Sequence, residues 1–172
     1  MSVRAMMRAR VLAVAAIVLT AAAPAPRAII VDGAGLTVAA AKPAPAVVVR
    51  FGTSRTPALA ALGFLGKPKP GNSTDCDGGP LSWAAFSRGL TIYFEDGKFA
   101  GWWLARPASG IATRKGIRPG SGRAELRRAH KVAIFQSSLG EEFSAGDMYG
   151  LFDDTNKDRV ASLYAGRVCT AR

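Results

Sequence analysis

Alternating apolar and polar residues form two runs on either side of Asp96-Gly97. An Asp-Gly pair in this position predicts a β-hairpin with a type I′ turn, because that turn needs a positive φ at both central residues. The turn fixes a register in which Phe94 faces Phe99 and Thr91 faces Trp102. One face of the hairpin is then apolar and is expected to lie in the core: Leu90, Ile92, Phe94, Phe99 and Trp103. The other face is mixed and is expected to be open: Thr91, Tyr93, Glu95, Lys98 and Trp102.

The residues before this hairpin predict a helix and a strand. Thr56-Pro57 is a typical helix start with Thr56 as N-cap, and Gly63 or Gly66 ends the helix. Apolar residues alternate over residues 81–87, which predicts a strand that leads directly into the hairpin.

The second half of the chain repeats this order of elements. Its predicted elements are a helix at Arg123–Lys131 with Ser121 as N-cap, a strand at Val132–Gln136, a turn at Phe143–Gly146 and a second hairpin, Met148–Phe152 with Arg159–Tyr164. We therefore predict an α+β fold of two tandem α-β-β-β units, at about 47–105 and 116–170. The two units are expected to form one antiparallel sheet with both helices packed on one face.

The N-terminal residues predict export. Residues 1–10 are basic, residues 11–23 are apolar and small residues follow, which is typical of a secretory signal peptide over residues 1–28. The apolar run is too short for an ordinary membrane span, so we expect no transmembrane segment in the mature form. An uncleaved signal anchor is the alternative. Residues 29–46 are rich in Ala and Pro and predict a flexible spacer, followed by a single domain at 47–172.

Charge and cysteine content narrow the class of protein. Removal of residues 1–28 takes away four arginines and no acidic residue, which lowers the formal charge from +11 to +7. This excess favours an anionic partner or serves solubility alone. Cys76 and Cys169 are the only cysteines, and export places them in an oxidising compartment, so we expect one disulfide between them. The absence of a Cys-x-x-Cys motif disfavours a metal or redox pair.

Several motifs are similar to those of known exported proteins. Gly52-Thr53-Ser54 with Leu65-Gly66-Lys67-Pro68 resembles a signature of outer-membrane assembly lipoproteins, and Gly120–Leu126 resembles its opening in a second copy. Tandem helix-plus-three-strand units of this kind resemble the β-lactamase inhibitory protein architecture. The closing hairpin with Ala165-Gly166 and Cys169 is similar to small exported bacterial proteins of unassigned activity. The resemblance implies a sheet whose open face binds another protein.

Two surfaces are candidates for binding. Tyr and Trp are enriched at interface hot spots, and we predict four such residues as contacts on the open sheet face: Tyr93, Trp102, Tyr149 and Tyr164. The alternatives are that this face is covered by the helix or by the other half of the chain, or that the two faces of the hairpin are reversed. Basic residues cluster in the second helix and predict an anion-binding surface: Arg123, Arg127, Arg128 and Lys131. The alternative there is an ordinary solvated helix face.

Candidate chemistry is sparse. His130 lies among basic residues, without a neighbouring carboxylate to orient it as a base. Asp154-x-Asn156-x-Asp158 has the spacing of a calcium loop, but Arg159 stands where that loop needs Gly and Ala165 where it needs Glu, so a hairpin turn explains it better. The adjacent acid pairs do not form a glycosidase dyad by themselves. We predict no catalytic residue, no metal and no cofactor.

The sequence therefore predicts a secreted or cell-envelope-associated, non-catalytic binding module. Its expected partner is another extracytoplasmic protein, recognised through the open sheet face. The first alternative is a module that binds anionic cell-wall polymer or lipid through the basic helix, and the second is a hydrolase of unrecognised type. Export makes nucleic acid an unlikely partner.

Overall fold

The computed structural model describes residues 27–40 and 45–170. The predicted signal peptide, residues 1–28, lies almost entirely outside the described residues. In the described part, no helix is long and apolar enough to cross a membrane.

Most of the described chain is β-structure. The strands are β1 Ile29–Asp32, β2 Gly35–Val38, β3 Val47–Arg50, β4 Lys69–Ser73, β5 Leu81–Ala85, β6 Leu90–Glu95, β7 Lys98–Leu104, β8 Ile111–Thr113, β9 Ala133–Ser137, β10 Gly140–Ala145, β11 Met148–Phe152 and β12 Val160–Gly166. The helices are α1 Arg55–Ala61 and α2 Arg123–Ala129, and a 3₁₀ turn follows α1 at Gly63–Leu65. The prediction of a mixed α+β fold is confirmed.

The strands form two sheets, so the prediction of one sheet is wrong. The larger sheet has eight strands in the order β4-β5-β6-β7-β12-β11-β10-β9, and all its neighbours are antiparallel. The smaller sheet has four strands in the order β3-β2-β1-β8. A division into two α-β-β-β units on one sheet is not clear. Each half of the larger sheet holds four strands, and residues 143–146, predicted as a turn, lie mainly in β10.

The smaller sheet corrects the prediction of a flexible spacer over residues 29–46. β1 and β2 form a hairpin whose turn is closed by a hydrogen bond from the Ala34 N–H to the Asp32 carboxylate, at 2.9 Å. Val31 and Leu36 are buried and belong to the main hydrophobic core. β1 and β2 have only four residues each. Because the surrounding sequence is rich in Ala and Gly, their short alternation of apolar residues is not recognised as a strand pattern.

The main core lies between the smaller sheet, the two helices and one face of the larger sheet, here called the inner face. Ala58 and Leu62 from α1 and its C-cap, and Leu126 from α2, are buried in it. α1 begins at Arg55, with Ser54 instead of Thr56 as N-cap. α2 has Gly122 at its N-cap, where the Glu125 carboxylate accepts a hydrogen bond from the Gly122 N–H at 2.8 Å.

The central hairpin contains a β-bulge that the sequence pattern does not show. Asp96 and Gly97 have φ of 49° and 74°, as the predicted turn requires, and Phe94 pairs with Phe99. The register then shifts between Phe94 and Tyr93, so that Tyr93 pairs with Gly101 and Ile92 pairs with Trp102. Because a one-residue shift exchanges the two faces of a strand, Trp102 points into the core.

Trp102 joins the two sheets. Its side chain is fully buried, and its indole Nε1–H donates a hydrogen bond of 2.9 Å to the carbonyl oxygen of Asp32, at the end of β1. The prediction of Trp102 as an exposed contact is therefore wrong. Trp103, predicted to lie in the core, is only partly buried and lies on the opposite face.

A disulfide joins Cys76 to Cys169 across 93 residues of sequence, as predicted. It ties the segment between β4 and β5 to the chain that follows β12. Such a bond is consistent with an extracytoplasmic location.

Replacing both cysteines should lower the free energy of unfolding by about 4 kcal/mol, because the long loop is then no longer closed in the unfolded chain. Urea denaturation of the Cys76→Ala/Cys169→Ala protein measures this loss. An unchanged midpoint would contradict a bridge that constrains the native protein.

Because of the bulge, substitutions of the two adjacent tryptophans are expected to lower the free energy of unfolding by different amounts. Trp102→Phe should cost about 2–3 kcal/mol, since it leaves a cavity and removes the indole donor to the Asp32 carbonyl. The matched change Trp103→Phe should cost less than about 1 kcal/mol, since the new ring fits a partly exposed site. Chemical denaturation of both variants tests the assignment, and a larger cost for Trp103→Phe would refute it.

Candidate functional site

The outer face of the larger sheet, which points away from the main core, carries a row of aromatic side chains on neighbouring strands. Directly paired residues of antiparallel strands share a face. Trp83 pairs with Tyr93, Trp103 pairs with Tyr164, and Tyr164 pairs with Tyr149. The row thus runs across five strands, β5, β6, β7, β12 and β11.

Three of these rings form a continuous stack. Trp103 and Tyr164 have ring centroids 5.0 Å apart with an interplanar angle of 9°, and Tyr164 and Tyr149 are 5.6 Å apart at 20°. The ring of Tyr164 is covered on both faces, because its two partners lie on strands on opposite sides of β12. The central ring, Tyr164, therefore presents mainly its edge to solvent. Trp83 and Tyr93 are tilted by 53° at 6.2 Å.

A buried carboxylate supports the stack. Glu142 on β10 is only 4% exposed and accepts a hydrogen bond from the Tyr164 hydroxyl. Glu142 also pairs with Phe135 on β9 and with Leu151 on β11, which places both apolar side chains on the outer face. The hydrogen bond fixes the position of the central ring, so that the stack is held in place by its own sheet.

The two ends of the row differ in exposure. At the β5–β7 end, the disulfide packs against Leu81 and Tyr93, and Tyr93 is only 9% exposed, so burial raises the pKa of its hydroxyl. At the other end, Tyr149 is 41% exposed and Phe135 is 42% exposed. Half of the outer face is thus covered by the chain itself, and the other half is open.

The C-terminal segment is held firmly on the covered half. The Arg167 backbone N–H donates to the Ala100 carbonyl oxygen at 2.8 Å, and its guanidinium donates to the Gly79 carbonyl oxygen at 2.9 Å and to the Glu95 carboxylate. A Cβ on Gly101 would lie 2.1 Å from the Arg167 carbonyl oxygen. Glycine at this position therefore permits the close approach of the two backbones.

The outer face carries a depression. Tyr93, Trp103 and Cys169 line a cavity of about 230 Å³ together with Leu139. Leu139 lies in the turn between β9 and β10, and Cys169 lies in the C-terminal segment. The sheet, this turn and the C-terminal segment thus enclose the depression together.

The four residues predicted as partner contacts do not lie on one surface. Tyr149 and Tyr164 lie on the open half of the outer face, whereas Tyr93 lies on the covered half and Trp102 lies in the core. Sequence reasoning missed Trp103, Trp83 and Phe135 as residues of this face. Gly101 is the sequence feature that could have indicated the exchange of faces, because a glycine inside a strand often marks a bulge or a close backbone approach.

The predicted basic helix surface is also altered. The Arg123 guanidinium bonds to the Glu141 carboxylate and the Lys157 carbonyl oxygen, and lies 3.7 Å from the centre of the Phe152 ring. The hydrogen bond to Glu141 raises the pKa of Arg123 and lowers the pKa of Glu141. The guanidinium of Arg123 is thus occupied by contacts within the protein itself.

The other predicted basic residues are exposed, but they do not form one helix face. Arg127 and Arg128 lie in the last turn of α2, and the helix ends at Ala129, so Lys131 lies beyond it. The helix predicted over Arg123–Lys131 thus ends at Ala129, and the four predicted basic residues do not share one helical surface.

The acidic turn after β11 is organised by its own hydrogen bonds. The Asp153 carboxylate accepts from the Thr155 N–H, the Thr155 hydroxyl and the Asn156 N–H, which lowers the Asp153 pKa. Across residues 27–40 and 45–170, no three His, Cys, Asp or Glu side chains are grouped as metal ligands would be.

Comparison with protein-family models, with curated proteins and with solved structures gives no match to this chain.

His130, the C-cap of α2, is expected to make the stability of the folded protein depend on pH. Burial lowers its pKa below the usual value near 6.5, and the Lys115 charge lowers it further. Since the unfolded chain binds the proton more readily, stability is full above about pH 6.5 and falls as the pH drops toward the folded-state pKa.

Urea midpoints at pH 7.5 and 5.5 measure this loss. His130→Gln should remove most of the difference between the two pH values, and Lys115→Gln should reduce it. Glu141 and Asp153 lose their stabilising charges only below about pH 4.5 and do not act in this window. An equal pH dependence in His130→Gln would show that other groups cause it.

Proposed function

We propose that this protein is a secreted or envelope-associated, non-catalytic binding module whose partner is another extracytoplasmic protein. The proposed surface is the open half of the outer face together with Trp103 at its border with the covered half. It is here called the aromatic face: Trp103, Tyr164, Tyr149, Leu151 and Phe135. The observation that carries the proposal is the fixed ring stack on a partly exposed sheet face.

The composition of the aromatic face supports a protein partner. Tyr and Trp provide large contact areas with few rotatable bonds, and they are frequent at the centres of protein interfaces. Two of the four exposed large apolar residues of the described chain, Phe135 and Tyr149, lie here. Leu151 adds an aliphatic side chain beside them, so the surface is mixed in the way that protein interfaces are.

The ring geometry favours a protein over a sugar. A sugar ring binds by stacking on a free aromatic face, whereas both faces of Tyr164 are covered by Trp103 and Tyr149. The central ring therefore offers only its edge, and the exposed side chains of Tyr149 and Phe135 extend this apolar surface. Such a surface suits the apolar side chains of another protein. The stack also needs little ordering upon binding, because Glu142 and the neighbouring rings already hold it.

Site-specific photo-crosslinking tests this proposal. A benzoylphenylalanine at position 149 should crosslink the mature protein to one partner in envelope or culture fractions, at both low and high salt, since apolar contacts are little screened. The same probe at Val48, which is 56% exposed on the smaller sheet, serves as the control.

A pair of matched variants measures the contribution of the aromatic face. Tyr149→Ala/Phe135→Ala should weaken capture of that partner by about thirtyfold, the effect of hot-spot residues. Val47→Ala/Val48→Ala removes two equally exposed apolar side chains elsewhere and should leave capture unchanged. Equal crosslinking from position 48, or equal loss in both variants, would refute the proposal.

A further inference from the structure

A second surface of the protein is strongly basic. It shares no residue with the aromatic face. Two adjacent surface depressions of about 840 and 530 Å³ share Arg118, Ser121 and Glu125 in their walls and are together called the basic cleft. Five cationic residues line this basic cleft: Arg106, Lys115, Arg118, Arg128 and Arg159. Glu125 is the one acidic residue among the lining residues.

Backbone hydrogen bonds fix the centre of the basic cleft. The Arg118 N–H donates to the Ser121 hydroxyl at 3.1 Å, and the Ser121 N–H donates to the Arg118 carbonyl oxygen at 2.9 Å. The Val160 N–H donates to the Ser121 carbonyl oxygen at 2.9 Å, which ties this turn to the start of β12. The Arg159 guanidinium donates to the Gly120 carbonyl oxygen at 3.1 Å. The wall is therefore preformed.

The positive charge of the cleft is poorly compensated. Among the described residues, Arg118 and Arg128 have no side-chain hydrogen bond and no ion pair. Arg106 reaches Asp153 at 3.9 Å with a side chain that is 59% exposed, and such surface pairs are weak. The Glu125 carboxylate already accepts a hydrogen bond from the Gly122 N–H. The Lys115 ammonium donates a hydrogen bond to the Ala129 carbonyl oxygen, as Arg159 does to that of Gly120. An anion entering the cleft would thus meet Arg118 and Arg128 as cations without a partner.

We propose that the basic cleft binds a polymer of phosphodiester groups. Arginine presents paired N–H donors whose geometry matches two oxygens of a phosphate, and four of the five cations are arginines. A single phosphate can engage only one or two of them, whereas a chain of regularly spaced phosphates can follow the whole cleft. This site differs from the basic helix surface expected from the sequence, since it excludes Arg123 and Lys131 and centres on Arg118.

Binding of a fluorescent glycerol-phosphate oligomer to the mature protein, followed by anisotropy, tests this site. Arg118→Gln/Arg128→Gln removes two exposed, unpartnered cations from the cleft and should weaken binding by about tenfold, with a shallower dependence on salt. Lys67→Gln/Lys69→Gln removes the same charge from two exposed residues outside the cleft and should change binding by less than about twofold. Tyr149→Ala/Phe135→Ala should bind the oligomer normally, which separates this site from the aromatic face.

Three results would overturn the proposal. Equal weakening in both charge variants would mean that net charge alone attracts the oligomer. Equal affinity for polyglutamate would mean that phosphate is not preferred. Binding to phosphatidylglycerol vesicles without binding to the soluble oligomer would identify a lipid surface, not a polymer, as the ligand.

Discussion

The structure depends on one irregularity, the β-bulge that turns Trp102 into the core. There its indole fills the space between the two sheets and hydrogen-bonds to the end of β1. The same shift moves Trp103 to the outer face, where it pairs with Tyr164. One extra residue in β7 thus supplies both the link between the sheets and the first ring of the aromatic stack.

The rest of the outer face follows from how this sheet is completed. The C-terminal segment returns beside β7 at Gly101, and the disulfide fastens it over Tyr93. That covering closes one half of the face and leaves the other half, around Tyr149, exposed. A rigid apolar surface beside a covalently anchored segment is well suited to binding without much loss of conformational entropy. The basic cleft uses different residues, so the two surfaces can serve two different ligands.

Some of these features could be predicted from the sequence, since they depend on local patterns. Asp96-Gly97 determines its own turn, and two cysteines in a chain with a predicted export signal predict their own pairing. The bulge could not be placed, because the contacts around it are distant in sequence. The Arg167 N–H donates to the Ala100 carbonyl oxygen, and glycine at position 101 leaves room for the Arg167 backbone. β1 and β2 could not be predicted for a similar reason, because four-residue strands gain their stability from packing against the core.

Hydroxyl-radical footprinting of the folded protein, read by mass spectrometry, tests the central claim most directly. The account predicts strong oxidation of Tyr149 and Phe135, measurable oxidation of Trp103, and protection of Trp102 until the protein unfolds. Protection at Tyr149 and Phe135 upon addition of the captured partner would place that partner on the aromatic face. Oxidation of Trp102 together with protection of Trp103 in the folded protein would contradict the bulge, and with it the assignment of both faces of the sheet.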